Sequence, residues 1–266
     1  MIRVSSNTVS NDEPNYEGKV SELRQLIKSK IADQIAFEDL FLLKFLRARN
    51  CNVDEACQLL TSYLSFFDKH AECFNVEISR KVIEDGFFIA CPQRTSKGES
   101  ITFCDFDQWD LRKVSLADCM TSIISGYELL AMDTQTQENG NIHVFDMAGL
   151  TWKHVSKFGI SEVKMFVNIL FFSFPIKQNK LIVVRENSFA NILFKLAQPF
   201  LEKQMREKIL FIGTDVGKLH DYISPDILPA KFGGNANEFN YNKYSKNLKD
   251  NEQRLLDLWK TIKLEK

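Results

Sequence analysis

Apolar residues follow different rhythms along this chain. Between Val20 and Phe67 they recur at three- and four-residue steps in three runs: Val20, Leu23, Leu26, Ile27 and Ile31; then Leu40, Leu43 and Leu46, or Phe41 and Phe45; then Val53, Ala56, Leu59, Leu60, Tyr63, Leu64 and Phe67. Each run has the period of an amphipathic helix, and Asn52 stands where the third needs a cap. Past Asp85-Gly86 the rhythm shifts to short apolar runs at 87–90, 101–106, 142–145, 180–184 and 209–212, which suit buried strands. Helical segments separate them: about 115–134, opened by Ser115 with Asp118 three residues on, then 161–172, then about 187–208. This alternation predicts an α/β fold: a mainly parallel five-stranded sheet flanked by helices, preceded by a small N-terminal helical bundle. Leu255, Leu256, Leu258, Trp259 and Ile262 predict a terminal amphipathic helix that docks back on the body. The expected divisions are a mobile arm at 1–15, a helical domain at 16–85, an α/β domain at 86–240 and a tail at 241–266.

The segment 187–208 stands out. Between 189 and 201 only Asn191, Lys195 and Gln198 are polar, and their spacing gathers them in one narrow stripe. A surface helix covers a core with an apolar arc of about 100°, so this one has more than one apolar partner. Either it is a crossover helix deep in the domain, or it lies between a greasy cavity and a lipid surface. For the second case the candidate pocket is Met120, Ile123, Ile124 and Tyr127 on one helix, Phe166 and Ile169 on another, and Phe174 and Ile176 after it. Phe145, Leu181 and Val183 come from strands, and Phe189, Ile192, Leu193 and Leu196 close over them. Phe194 and Leu201, seven residues apart, are expected on the lipid-facing side. Periodicity does not distinguish a hollow interior from a filled one.

Composition removes other classes. The 266 residues carry a net charge of −1, so no global basic field points to nucleic acid. No run approaches about 18 apolar residues and the N-terminus has no h-region, which predicts a soluble, non-secreted protein. Six cysteines without a C-x-x-C pair and four scattered histidines suggest no metal site. The eleven glycines form no dinucleotide, P-loop or nucleophile-elbow motif, so neither a catalytic residue nor a cofactor is expected. What is abundant is phenylalanine, at 22 residues. Lys177, Lys180, Lys203, Arg206 and Lys208 cluster on the 187–208 segment and its neighbouring strand, and such cations are worth up to about 1 kcal/mol each at an anionic leaflet.

Several motifs occur in order: FLLKFLRARN followed by Val-Asp-Glu-Ala, a strand closing in Asp146-Met147-Ala148-Gly149, Phe174-Pro175 with Lys177 beyond, Pro199-Phe200-Leu201, and Leu228-Pro229-x-Lys231-Phe232-Gly233-Gly234. In this order and spacing the chain resembles the CRAL-TRIO lipid-binding family, which includes retinaldehyde-binding and α-tocopherol transfer proteins and the yeast phosphatidylinositol-transfer protein. The resemblance implies a cytoplasmic, peripherally membrane-associated monomer that carries one hydrophobic ligand, retinoid-, tocopherol-, carotenoid- or other terpenoid-like, under a mobile helical lid. In the tocopherol-transfer branch, residues resembling Arg49, Lys177 and Lys208 contact a phosphoinositide headgroup. The sequence departs from that branch at Asn179 and Gln204, where it has basic residues, and at Arg185, Asn187 and Gln198. Lys231 resembles the phosphatidylinositol-transfer branch instead. The alternatives are therefore a phosphatidylinositol- or phosphoinositide-binding transfer or regulatory protein, and an interaction scaffold with a collapsed core.

Overall fold

A computed structural model describes residues 16–30 and 37–264; the expected arm and Ile31 lie outside them. Four helices open the chain: α1 (Tyr16–Lys30), α2 (Asp39–Ala48), α3 (Val53–Lys69) and α4 (Val76–Glu84). The first three are those the apolar rhythm predicts, and Asn52 caps α3 by accepting the Glu55 N–H at 3.1 Å. The fourth is only nine residues long, too short for its period to stand out, and Asn75 caps it.

Five strands follow: β1 (Phe88–Ala90), β2 (Ser100–Asp105), β3 (Asn141–Asp146), β4 (Gln178–Val184) and β5 (Ile209–Phe211). They pair in sequence order, β1 antiparallel to β2 and the rest parallel. This is the mainly parallel five-stranded sheet the alternation predicts. Helices α5 (Leu116–Ala131) and α6 (Thr134–Asn139) link β2 to β3, and α7 (Trp152–Val155) and α8 (Ile160–Val167) link β3 to β4. Helices α9 (Ser188–Ala197) and α10 (Lys203–Arg206) link β4 to β5, and α11 (Tyr241–Asp250) and α12 (Glu252–Leu264) follow.

Alternate strand residues face two cores. Cys104, Phe145, Leu181 and Val183 join a cluster that runs from Val20 in α1 to Ile262 in α12. Phe103, Val144, Ile182 and Val184 face the opposite way, under Leu219, Leu228 and Phe232. Trp259 of α12 meets Phe74 edge-on at 5.5 Å, so the terminal helix docks back on the body. Gly149 is explained by contact: a Cβ there would stand 2.3 Å from the Asp107 Cα.

The long segments at 115–134, 161–172 and 187–208 are each interrupted. The first divides where Asp133 caps α6. The second passes into a π-helical turn at 168–172. In the third, Pro199 lacks an N–H and its ring crowds the preceding turn, so α9 ends at Ala197, a 3-10 turn spans 198–200, and Leu201 is extended before α10.

Candidate functional site

Helices α8 and α9 stand off the sheet and enclose an apolar cavity of ≈ 100 Å³. Phe145, Leu181, Val183, Ile209 and Phe211 form its floor, every second residue of three neighbouring strands. Val163, Phe166, Val167 and Leu170 form one wall, at the i, i+3, i+4, i+7 spacing of a single helical face, and Phe171 extends it. Ala190, Leu193, Phe194 and Ala197 repeat that spacing on α9 and form the roof, with Leu201 beside them. Phe106, Met147 and Phe158 close one end, and Phe194 meets Phe211 at 5.0 Å. The start of α9 is fixed by Asn187, whose Oδ1 accepts the Phe189 and Ala190 N–H groups at 3.0 and 3.2 Å while its amide donates to the Leu150 carbonyl at 2.9 Å.

Of the expected pocket residues, Phe145, Phe166, Leu181, Val183 and Leu193 line this cavity. Met120, Ile123, Ile124, Tyr127, Ile169 and Phe174 sit instead in solid core. The helical bundle fills the space they would otherwise border: the Phe174 ring meets Tyr63 at 5.8 Å, Phe66 at 5.6 Å and Tyr127 at 6.0 Å. Phe189 is half-buried outside the cavity, and Ile176 faces a different cleft. Ile192 and Leu196 point outward from α9, 37% and 39% exposed. Phe194 and Leu201, expected on the outer side, face inward. Phe194 lies one turn after Ala190 on the roof face, and the break at Pro199 takes Leu201 off the helix altogether. Register along β5 and the repeated spacing on α8 are the signals that mark Ile209, Phe211, Val163, Val167 and Leu170, which the sequence reading missed.

Behind Phe145 lies a closed polar network. The His143 ring packs against Phe145, tilted by 36° with centroids 4.3 Å apart; its Nδ1 contacts the hydroxyls of Thr102 and Tyr127, both at 2.9 Å, and its Nε2 contacts the Cys104 thiol at 3.3 Å. Gln178 donates to the Tyr127 hydroxyl at 2.5 Å. Burial pushes the His143 pKa down to about 3, so the ring is neutral.

At the C-terminal ends of β2, β3 and β4 four charges interlock. Lys231 pairs with Asp105 and, at 3.0 Å, with Asp146. Arg185 embraces Asp146 through both Nε, at 2.9 Å, and Nη2, and donates from Nη1 to the Lys231 carbonyl at 3.0 Å. Burial pushes the Asp105 pKa up against the pull of Lys231. Burial pushes on Asp146 in the same sense, but Arg185 and Lys231 hold it below the usual carboxylate range. Arg185 itself occupies the left-handed region at φ 51°.

A second, polar cleft of ≈ 460 Å³ lies beyond the π-helical turn. Arg49, Lys177 and Lys208 border it together with Asn50, Gln58, Gln204, Glu55 and Glu202. Lys177 Nζ donates to Asn50 Oδ1 at 3.1 Å, and Arg49 Nη2 to the Phe171 carbonyl at 3.3 Å. Burial, and then Arg49, Lys177 and Lys180, push the Lys208 pKa down, so these cations feel one another. Of the remaining expected patch, Lys180 Nζ lies 5.7 Å from the Tyr222 ring centroid, and the exposed Lys203, 4.0 Å from Glu207, stands outside the cleft.

Among the described residues no group of three or more His, Cys, Asp or Glu could hold a metal ion, and no helix is long and apolar enough to cross a membrane. A mainly parallel sheet with an apolar cavity beneath a crossover helix is a frame suited to enclosing a hydrophobic molecule. The chain belongs to the CRAL/TRIO domain family, a family of lipid-binding and lipid-transfer proteins, and the family model matches residues 84–234. Clavesin-2 of Homo sapiens is 27% identical over 241 residues, covering 88% of this chain and 73% of that one. Alpha-tocopherol transfer protein-like of Homo sapiens is 29% identical over 223 residues, 82% of this chain and 65% of its own. The crystal structure of Sfh5 shares the fold, with a TM-score of 0.56 at 15% identity over 89% of this chain and 92% of that one.

Proposed function

We propose that this protein carries one small hydrophobic molecule, terpenoid-like in size and character, between the sheet and α9, and exchanges it at a membrane when α9 swings outward. The observation that carries this reading is the lining: all eighteen residues around the cavity are apolar. Burial supplies affinity at roughly 25 cal/mol per Å² of apolar ligand surface, and no bond-making step is needed. Pockets for drug-sized ligands hold about 300–1,000 Å³. The cavity is several-fold smaller, so loading displaces a wall, and α9, whose outer face carries the exposed Ile192 and Leu196, is the one that moves. Trp152 and Ile160, 59% and 71% exposed, join Ile192 and Leu196 on the helices around the cavity, and Lys153, Lys157, Lys164 and Lys195 are exposed on the same segments. That combination suits a peripheral contact, with apolar groups inserted and lysines at anionic headgroups. The protein acts as a cytoplasmic monomer.

The test is uptake. After incubation with vesicles containing α-tocopherol or retinol, native mass spectrometry should find one lipid per chain, and Phe166→Asp or Leu193→Asp should remove it without unfolding the protein. Uptake by folded variants equal to wild type would take these residues out of the pocket. A second reading, a phosphoinositide-binding transfer or regulatory protein, is favoured by the convergence of Arg49, Lys177 and Lys208 on one cleft. Binding that depends on the inositol headgroup, in competition against phosphatidylcholine vesicles, would select it.

A further inference from the structure

At the edge of the sheet farthest from α9, a third cleft of ≈ 540 Å³ opens between β1, the C-terminal end of α5 and α11. It is larger than either space described above and falls within the range of about 300–1,000 Å³ that small-molecule sites occupy. Ile89, Leu129, Leu130, Met132 and the ring of Tyr244 give it an apolar body, and Lys243 and Arg254 stand exposed at its rim.

The wall of this cleft carries polar groups that the chain itself leaves without partners. β1 is an edge strand, and its register with β2 decides which of its amides are free. Ile89 lies opposite Phe103, and the flanking bonds, from the Cys91 N–H to the Ile101 carbonyl and from the Asp105 N–H to the Phe87 carbonyl, both 2.8 Å, belong to the same alternate set. Ala90, at the position between, therefore turns its N–H and C=O away from β2, on the side where the cleft lies. The Tyr244 hydroxyl oxygen is closed off from solvent beside Gly126, where a Cβ would stand 3.2 Å from it, and it has no hydrogen-bond partner among the described residues. Such orphaned atoms are rare in folded proteins. Burial pushes the Tyr244 pKa up, so the group stays protonated and able both to donate and to accept. At the rim, Lys243 forms no ion pair among the described residues, and Arg254 donates only to Asn251 Oδ1, at 3.3 Å. Asp133, the acidic residue of the lining, is taken up by Arg94 and by the Thr136 N–H, so the rim keeps an excess of positive charge.

We infer that this cleft is a second ligand site, for a small anionic molecule with an apolar ring body: its acid group meets Lys243 and Arg254 at the rim, and a polar atom at its inner end meets the Tyr244 hydroxyl and the free edge of Ala90. A small tip of the Tyr244 ring, which already borders the cleft, brings the hydroxyl to it. A peptide strand is not the occupant, because β1 offers only three residues and the cleft edge continues into Pro92, which has no N–H to pair. The site is independent of the carrier reading, since no residue lines both this cleft and the cavity under α9.

The test uses two fluorescent dyes, 8-anilinonaphthalene-1-sulfonate and N-phenyl-1-naphthylamine, which is the same ring system without the acid. Both are titrated into the full chain carrying Leu193→Asp, which puts a charge into the cavity under α9. The sulfonate should bind at one per chain, about tenfold tighter or more than the neutral amine, the increment of one charge-assisted contact. Adding Lys243→Gln/Arg254→Gln, at two exposed positions, should bring the two dyes to within about twofold of each other. Adding Tyr244→Phe should weaken both dyes about three- to tenfold, since both carry the anilino N–H, while the urea midpoint holds or rises because a buried hydroxyl without a partner is gone. Equal affinity for the two dyes, or sulfonate binding indifferent to Lys243→Gln/Arg254→Gln, overturns the site. So does sulfonate binding to the wild type that Leu193→Asp abolishes, which places the dye under α9 and leaves the carrier reading standing. Should Leu193→Asp not fold, the same comparisons on the wild type with excess α-tocopherol present decide the matter.

Discussion

Replacing Trp152 and Ile160 by Ser tests the proposed membrane-facing side directly, because neither contributes much to the folded core. Their exposures, 59% and 71%, give the fraction of each side chain still in water and so available for burial at an interface. Full burial of a large apolar side chain is worth about 1.5–3 kcal/mol, so each recovers about 1–2 kcal/mol on insertion. The pair then contributes about 2–4 kcal/mol, or roughly 30- to 1,000-fold in vesicle partitioning. Folding stability should change by only about 0.5 kcal/mol per site, as for other surface substitutions. The assay is co-sedimentation with anionic vesicles, paired with a urea melt and solvent extraction of bound lipid. Phe194→Ser/Leu201→Ser is the counterpart: with these residues facing inward, it should lose bound lipid and stability first and keep its vesicle affinity. Unchanged partitioning of a folded Trp152→Ser/Ile160→Ser protein would refute the assignment of this face. So would a Phe194→Ser/Leu201→Ser protein that loses vesicle binding but keeps its ligand.

Three further outcomes are expected. Phe174→Ala should cost about 3–5 kcal/mol in urea unfolding, because the ring joins α3 to α5 in solid core, whereas a cavity position such as Phe166 should cost less. Stability should fall as pH drops below about 6.5, since the unfolded chain protonates a histidine that the native state holds neutral down to about 3; the slope is at most about 1.4 kcal/mol per pH unit, and His143→Asn should flatten it in melts between pH 4 and 7. Binding to anionic vesicles should weaken as salt rises, and Lys177→Gln should reduce that dependence more than Lys203→Gln, which lies outside the cleft; equal effects would make both residues ordinary surface charge.

The sheet was legible because each strand is a compact apolar run, and Leu181 or Val183 is buried whichever face it takes. The pocket was legible only in part. Tyr127 and Phe166 look alike as inward-facing positions on the same face of the sheet, and what separates them is the helical bundle behind Phe174, which packs over Tyr127 and stops short of the part under α9. That division depends on contacts between residues more than a hundred positions apart, as between Tyr63 and Phe174, and no local period encodes it. The inward turn of Leu201 was in principle readable from Pro199, since a helix cannot keep its phase across a proline that removes a donor. Lys231 shows the opposite limit. Its motif resembles that of the phosphatidylinositol-transfer branch, but Asp105 and Asp146 come from distant strands and hold the ammonium in ion pairs that spacing could not reveal.

The crossover from β4 to β5 is tethered by parallel neighbours, with Leu181 opposite Ile209 and Val183 opposite Phe211. A parallel connection leaves from one end of the sheet and returns at the other, so the segment spans the sheet like the handle of a bucket. It can rotate about the line joining its two fixed ends, but it cannot peel away from one of them as a hinged flap would. Glu186, at the departing end, accepts the Gly213 N–H beyond the returning strand, which ties the two adjacent chains together just outside the sheet. Under the carrier proposal, rotation of such a handle would lift α9 from the cavity along its whole length rather than from one end.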